Sequence, residues 1–79
     1  MHSKELASLI TFHRKRAGLS QTELARHASV SRYVVQSLES ATGNTTWKSL
    51  EAVLEVLNLH LEPKGPLVDE WRRKFEDES

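Results

Sequence analysis

Within the stretch SRYVVQSLE, residues 31–39, four side chains have the chemistry to grip or read a nucleic acid. Arg32, Tyr33, Gln36 and Ser37 all carry groups that hydrogen-bond to base edges or phosphates. Val34, Val35 and Leu38 fall at helical spacing and form the stripe that such a helix buries. The polar four take the outward face. A helix that serves only the core has no need of such a set.

That face needs other elements to hold it outward. Ser31 is a natural N-cap for its helix. Upstream, Ser20 and Glu23 have capping-box spacing, and Leu24, Ala25 and Ala28 then line one face of a short helix. Ala28, Ser29 and Val30 break it. Two helices joined by so short a turn must cross steeply, which pushes one side of the second into solvent. The reading is a DNA-binding helix-turn-helix.

The chain has 79 residues, one domain near the lower limit for a self-sufficient core. Dimerisation is therefore expected on physical grounds. With no cysteine, disulfides and thiolate zinc sites are excluded, which fits a reducing cytoplasm. The four histidines are scattered, so no metal and no cofactor are expected. No signal peptide or membrane-length apolar run is present. No nucleophile sits with a base and an orienting acid, which argues against an enzyme.

The net charge is zero, but it is unevenly spread. Residues 1–48 hold seven Lys and Arg against three Glu, while residues 49–79 hold four against eight carboxylates. A basic front and an acidic back suit a protein that meets phosphate on one side only.

In chain order, Ser3 can cap a first helix running to about Ala17, with Leu6, Leu9, Ile10, His13 and Ala17 inward and Gly18 closing it. Lys15 and Arg16 in its last turn suit both the helix dipole and a phosphate contact. After Glu39 comes loop chemistry, then a helix capped by Thr45 or Thr46, with Trp47, Leu50, Val53, Leu54 and Leu57 on its apolar face and Trp47 expected in the core. Asn44, Thr46 and Lys48 surround that helix's N-terminus, where backbone N–H groups and the dipole favour a phosphate. Leu59, His60, Leu61 and Glu62 alternate as a short strand would and are expected to pair with the same strand of a second copy. Pro66 opens a last helix whose Val68, Trp71 and Phe75 share a stripe. On a terminus, two large aromatics must cover the domain body, a dimer mate or a different protein. The expected architecture is all-α, a five-helix-type helix-turn-helix domain over residues 1–58. Residues 59–79 extend it with a short β-strand and a helix for dimerisation or partner binding.

Gln21, Glu23-Leu24-Ala25, Val30-Ser31 and Leu38-Glu39 together resemble the phage-repressor-like, or Xre-type, helix-turn-helix family over about residues 4–59. Asn44-Thr45-Thr46, the helix after it and the tail beyond Leu59 look like the HipB-type antitoxins. The resemblance implies that Ser31, Arg32, Tyr33, Gln36 and Ser37 enter the major groove and that Gln21 holds a phosphate. Arg32 would fork onto guanine, Gln36 suits adenine, and Tyr33 meets a thymine methyl. Arg14 and Glu39 match a pair that ties the first helix to the end of the third. The chain departs from the pattern at Ser29, where the family usually has a glycine with positive φ. The implied role is a cytoplasmic, homodimeric repressor of its own operon that also binds a HipA-type serine/threonine kinase toxin. The alternatives are a stand-alone regulator without a toxin and an adaptor that uses the scaffold to hold a protein.

Overall fold

A computed structural model describes residues 2–78. It contains five helices: α1 (Ser3–Arg16), α2 (Gln21–Ala28), α3 (Arg32–Ser40), α4 (Trp47–Val56) and α5 (Val68–Glu78). Helix α1 packs on α3, and α2 packs on both α3 and α4. Each of these four contributes to one core. Ile10, Leu24, Val35 and Val53 are fully buried, one from each helix, with Ala25, Ala28, Leu54 and Leu57 around them. Among the described residues, helix α5 adds nothing to that cluster.

Local chemistry sets the helix starts. The Ser20 hydroxyl accepts from the Glu23 N–H at 3.0 Å, and the Ser20 N–H donates to the Glu23 carboxylate at 2.9 Å. The capping box thus satisfies two of the donors that a helix start leaves open. The Ser20 N–H, then its hydroxyl, hold the Glu23 carboxyl below its ordinary value. Ser31 caps α3 by accepting from Val34 N–H at 3.3 Å, and Thr46 caps α4 by accepting from Ser49 N–H at 3.1 Å. At α1 the expectation was wrong: His2, not Ser3, is the N-cap, and it makes no side-chain bond. Ala17 is exposed rather than inward, because α1 stops at Arg16.

The helix ends turn left-handed. Gly18 (φ +72°) follows α1 and has no Cβ to crowd. Ser29 follows α2 at φ +57°, the conformation the family's glycine would take, and Val30 N–H closes the turn on Ala25 C=O at 3.0 Å. Ala41 after α3 is also left-handed (φ +58°), as is Asn58 after α4. Asparagine tolerates this region; alanine has no side-chain bond to offset the Cβ crowding. Ala41→Gly should stabilise the fold by about 0.5–1 kcal/mol, since the relief exceeds the glycine's added unfolded-state entropy. A melting temperature raised by a few degrees is the expected readout.

No strand is present among the described residues, which corrects the expected β-strand at Leu59–Glu62. The reason lies in the backbone accounting. Leu59 N–H donates to Leu54 C=O at 2.8 Å, closing the end of α4 across the left-handed Asn58. Pro63 and Pro66 have no N–H to offer a ladder. Alternation sets which side chains face inward; it does not provide the second strand that a ladder needs. Helix α5 also starts two residues later than expected: Pro66 and Leu67 form a turn, and Trp71 N–H bonds to Leu67 C=O at 3.0 Å.

Candidate nucleic-acid interface

Helix α3 is fixed on its inner side by Val35, fully buried, and by half-buried Val34 and Leu38. Its opposite side carries Arg32, Tyr33 and Gln36, all exposed, with exposed Ser31 at its start. Ser37 does not share that face. It is 4 % exposed, a correction to the expected groove-facing set. The loop after α3 folds back over it: Thr42 N–H donates to Ser37 C=O at 3.0 Å, and Gly43 lies directly above.

Gly43 (φ +69°) is a contact that the sequence did not reveal. A Cβ there would come within 3.3 Å of the Tyr33 hydroxyl and 3.4 Å of Ser37 Oγ. The close approach ties the loop carrying Asn44, Thr45 and Thr46 to the outward face of α3. A glycine in a polar loop was visible in sequence; what it approaches was not.

The orientation of α3 is set by a three-helix clamp. Arg14 near the end of α1 meets Glu39 near the end of α3 through two parallel bonds: Nε donates to Oε2, and Nη2 donates to Oε1 at 2.9 Å. Arg14 Nη1 also donates to Leu19 C=O at 2.8 Å, and Gln21 Nε2, at the start of α2, donates to Glu39 Oε1 at 3.3 Å. Both charged side chains are largely buried, at 12 % and 7 % exposure. Burial pushes the Glu39 carboxyl up, but the hydrogen bonds from Arg14 and Gln21, the Arg14 charge and Thr11 together hold it below its usual range. The Glu39 hydrogen bond and charge raise the Arg14 guanidinium against the opposing effect of burial. The pair is of the short, bidentate kind that fixes geometry as well as adding energy. Gln21, expected on a phosphate, has its amide engaged here with Glu39.

The remaining expected phosphate contacts lie on the surface. Lys15 and Arg16 are exposed at the end of α1, with the Arg16 guanidinium 5.5 Å from the Phe12 ring centroid. Asn44, Thr46 and Lys48 are exposed around the N-terminus of α4. The Thr46 hydroxyl is committed to capping, bonding Ser49 N–H and, at 3.0 Å, Ser49 Oγ. Trp47 is 61 % exposed, against the expectation of a core position. It is the first residue of α4, while the buried stripe of that helix runs from Leu50 onward. Leu59, His60 and Leu61 gather with Trp47 along one side of α4. Trp71 and Phe75 are exposed and stack on each other at 5.7 Å. Among the described residues, no group of histidines and carboxylates is placed to hold a metal.

The family described as a helix-turn-helix domain matches residues 5–67. The chain belongs to that family. This helix-turn-helix domain is similar to several solved structures. It superimposes on a chain of the HipA-HipB-O2-O3 complex with a TM-score of 0.72 and 23 % identity, over 82 % of this chain and 92 % of that one. A structure named MDT Protein gives the same values. A tyrosine variant of the restriction-modification controller protein C.Esp1396I superimposes with a TM-score of 0.65 and 27 % identity, over 76 % and 80 % of the two chains. At 23 % identity the first two speak for the fold alone. Comparison with curated proteins finds no match. The Xre-type helix-turn-helix resemblance read from the residues holds, and the domain is a DNA-binding regulator of helix-turn-helix type.

Proposed function

We propose that this chain is a dimeric, cytoplasmic repressor that reads its own operator and serves as the antitoxin of a HipA-type serine/threonine kinase. The observation that carries the DNA-reading part is the exposed Arg32–Tyr33–Gln36 face on a helix locked to both neighbours by Arg14, Gln21 and Glu39. Base readout needs donors held in register, and a clamp on the helix behind them supplies that. The antitoxin part is supported by the match over 92 % of a chain from the HipA-HipB-O2-O3 complex, together with the Asn44-Thr45-Thr46 segment. A stand-alone regulator is the second reading, favoured by the likeness to a restriction-modification controller protein.

Footprinting on the DNA upstream of the gene tests the reading. Two protected half-sites about one helical turn apart, roughly 34 Å, are expected for a dimer. No protection at low salt would overturn DNA reading altogether. Protection without co-purification of a kinase encoded beside the gene would leave the stand-alone regulator. Lys48, exposed beside the start of α4, is assigned to phosphate. Lys48→Ala should weaken binding on every sequence and flatten the salt dependence by ~0.9 in the log–log slope, the value of one lost phosphate contact. An unchanged slope would remove Lys48 from the interface.

A further inference from the structure

Tyr33 and Ser37 stand one helical turn apart on α3, on the flank of that helix nearest the loop that follows it. Ser37 is buried under the loop, whereas Tyr33 is 64 % exposed at its edge. The loop itself is anchored at both ends. Thr42 N–H donates to Ser37 C=O at 3.0 Å, and the Thr42 and Ser40 hydroxyls lie 2.8 Å apart. Ser40 Oγ in turn donates to Gln36 C=O at 2.8 Å. At the far end the Thr46 hydroxyl accepts from Ser49 N–H as the cap of α4.

Gly43 lies between these anchors, against the Tyr33 phenol. A Cβ there would stand 3.3 Å from the Tyr33 hydroxyl, inside ordinary van der Waals contact, with Ser37 Oγ at 3.4 Å and Ser37 Cβ at 3.7 Å on its other side. Ser37 is packed into the helix and the loop is tied down, so the group with room to give is the exposed ring. The same loop leads to Asn44 and Lys48, both exposed and both assigned to phosphate. Phosphate contacts set a domain's register on the duplex, and base contacts read from that register. A ring seated on the phosphate-gripping loop keeps one offset between the two. An unseated tyrosine would instead exchange rotamers and lose that freedom on binding.

We infer that Gly43 is a positioning residue for DNA reading: its missing side chain lets the anchored loop seat the Tyr33 phenol and so fixes the ring's reach into the groove. The inference rests on the DNA-reading function proposed above. It adds a determinant of base preference that lies outside α3 and acts only through Tyr33.

Selection by the full chain from a pool of randomised half-sites tests it, with Gly18→Ala as the control. Gly18 is left-handed too (φ +72°), but a Cβ there meets nothing within 4 Å, so the control carries the backbone cost without the contact. Both alanine variants should lower the melting temperature by a similar few degrees. Only Gly43→Ala should also shift base preference, at the one base pair per half-site that Tyr33→Ala identifies. The shift should be roughly 2- to 5-fold, less than a bidentate contact provides. Tyr33→Phe removes the atom nearest the new methyl, so in that background Gly43→Ala should shift the preference no further. If Gly43→Ala does not fold, Gly43→Asn takes its place, because asparagine tolerates this conformation, as Asn58 does here. A wild type that selects no sequence overturns the DNA-reading function and this inference with it. Where the wild type does select, three results overturn the inference alone: a Gly43→Ala preference no different from that of Gly18→Ala, a shift of equal size with Tyr33→Phe, or a Tyr33→Ala variant that alters no base preference.

Discussion

Arg14→Ala should cost about 3–5 kcal/mol, because it leaves the Glu39 carboxylate buried without its cation. Arg14 makes both bidentate bonds to Glu39, and Glu39 is only 7 % exposed. The loss also frees Leu19 C=O, the link from α1 to the start of α2. A 79-residue domain has about 4–12 kcal/mol of stability in total, so the variant should lie close to unfolded at physiological temperature. Replacing the pair together, Arg14→Met with Glu39→Leu, should recover much of the stability, since no charge is then stranded. The pH dependence carries a sign. The folded Glu39 carboxyl lies below its ordinary 4.5, so its contribution is present above that value and is lost as pH falls through the lowered native one. In Arg14→Ala the stranded carboxyl prefers to be protonated. The gap in stability between wild type and variant should therefore narrow below about pH 4.5. Thermal melts followed by circular dichroism from neutral pH into acid measure both. Equal melting at neutral pH would show that the clamp does not hold α3.

Arg32→Ala should leave the fold intact and change what the protein reads. Arg32 is the first residue of α3, exposed, and outside the core. A bidentate contact to one guanine discriminates by about 1–3 kcal/mol, or roughly 5- to 150-fold. Preference at one base pair per half-site should relax by that factor, while binding to unrelated DNA changes little. Selection from a randomised half-site, scored against the wild type, reads it directly. An equal loss on all sequences would reassign Arg32 to phosphate.

The parts of this molecule legible in its sequence are those decided locally. Ser20 with Glu23, and Ser31, reveal their helix starts because each cap bonds within three residues. Ser29 stands where the family resemblance puts a glycine of positive φ, and the structure gives it φ +57°. What failed depended on distant partners. Trp47 keeps helical phase with Leu50 and Leu54, but phase does not say how far along a helix the burial extends, and the buried stripe of α4 starts at Leu50 while Trp47, its first residue, stays exposed. Ser37 is polar and was expected to face outward; it is buried because Thr42 and Gly43 fold back over it. The alternation at Leu59–Glu62 suggested a strand, yet the N–H of Leu59 already closes α4. Arg14 and Glu39 are 25 residues apart, and only the family resemblance linked them before the structure did.

Methylation interference on the operator tests the claim that the outward side of α3 lies in the major groove. Guanine N7 faces that groove and is the atom Arg32 is expected to engage. Methylation of one guanine per half-site should block the wild type, and that block should disappear with Arg32→Ala while neighbouring positions keep theirs. Interference confined to adenine N3 in the minor groove, or a guanine pattern unchanged by the substitution, would contradict it.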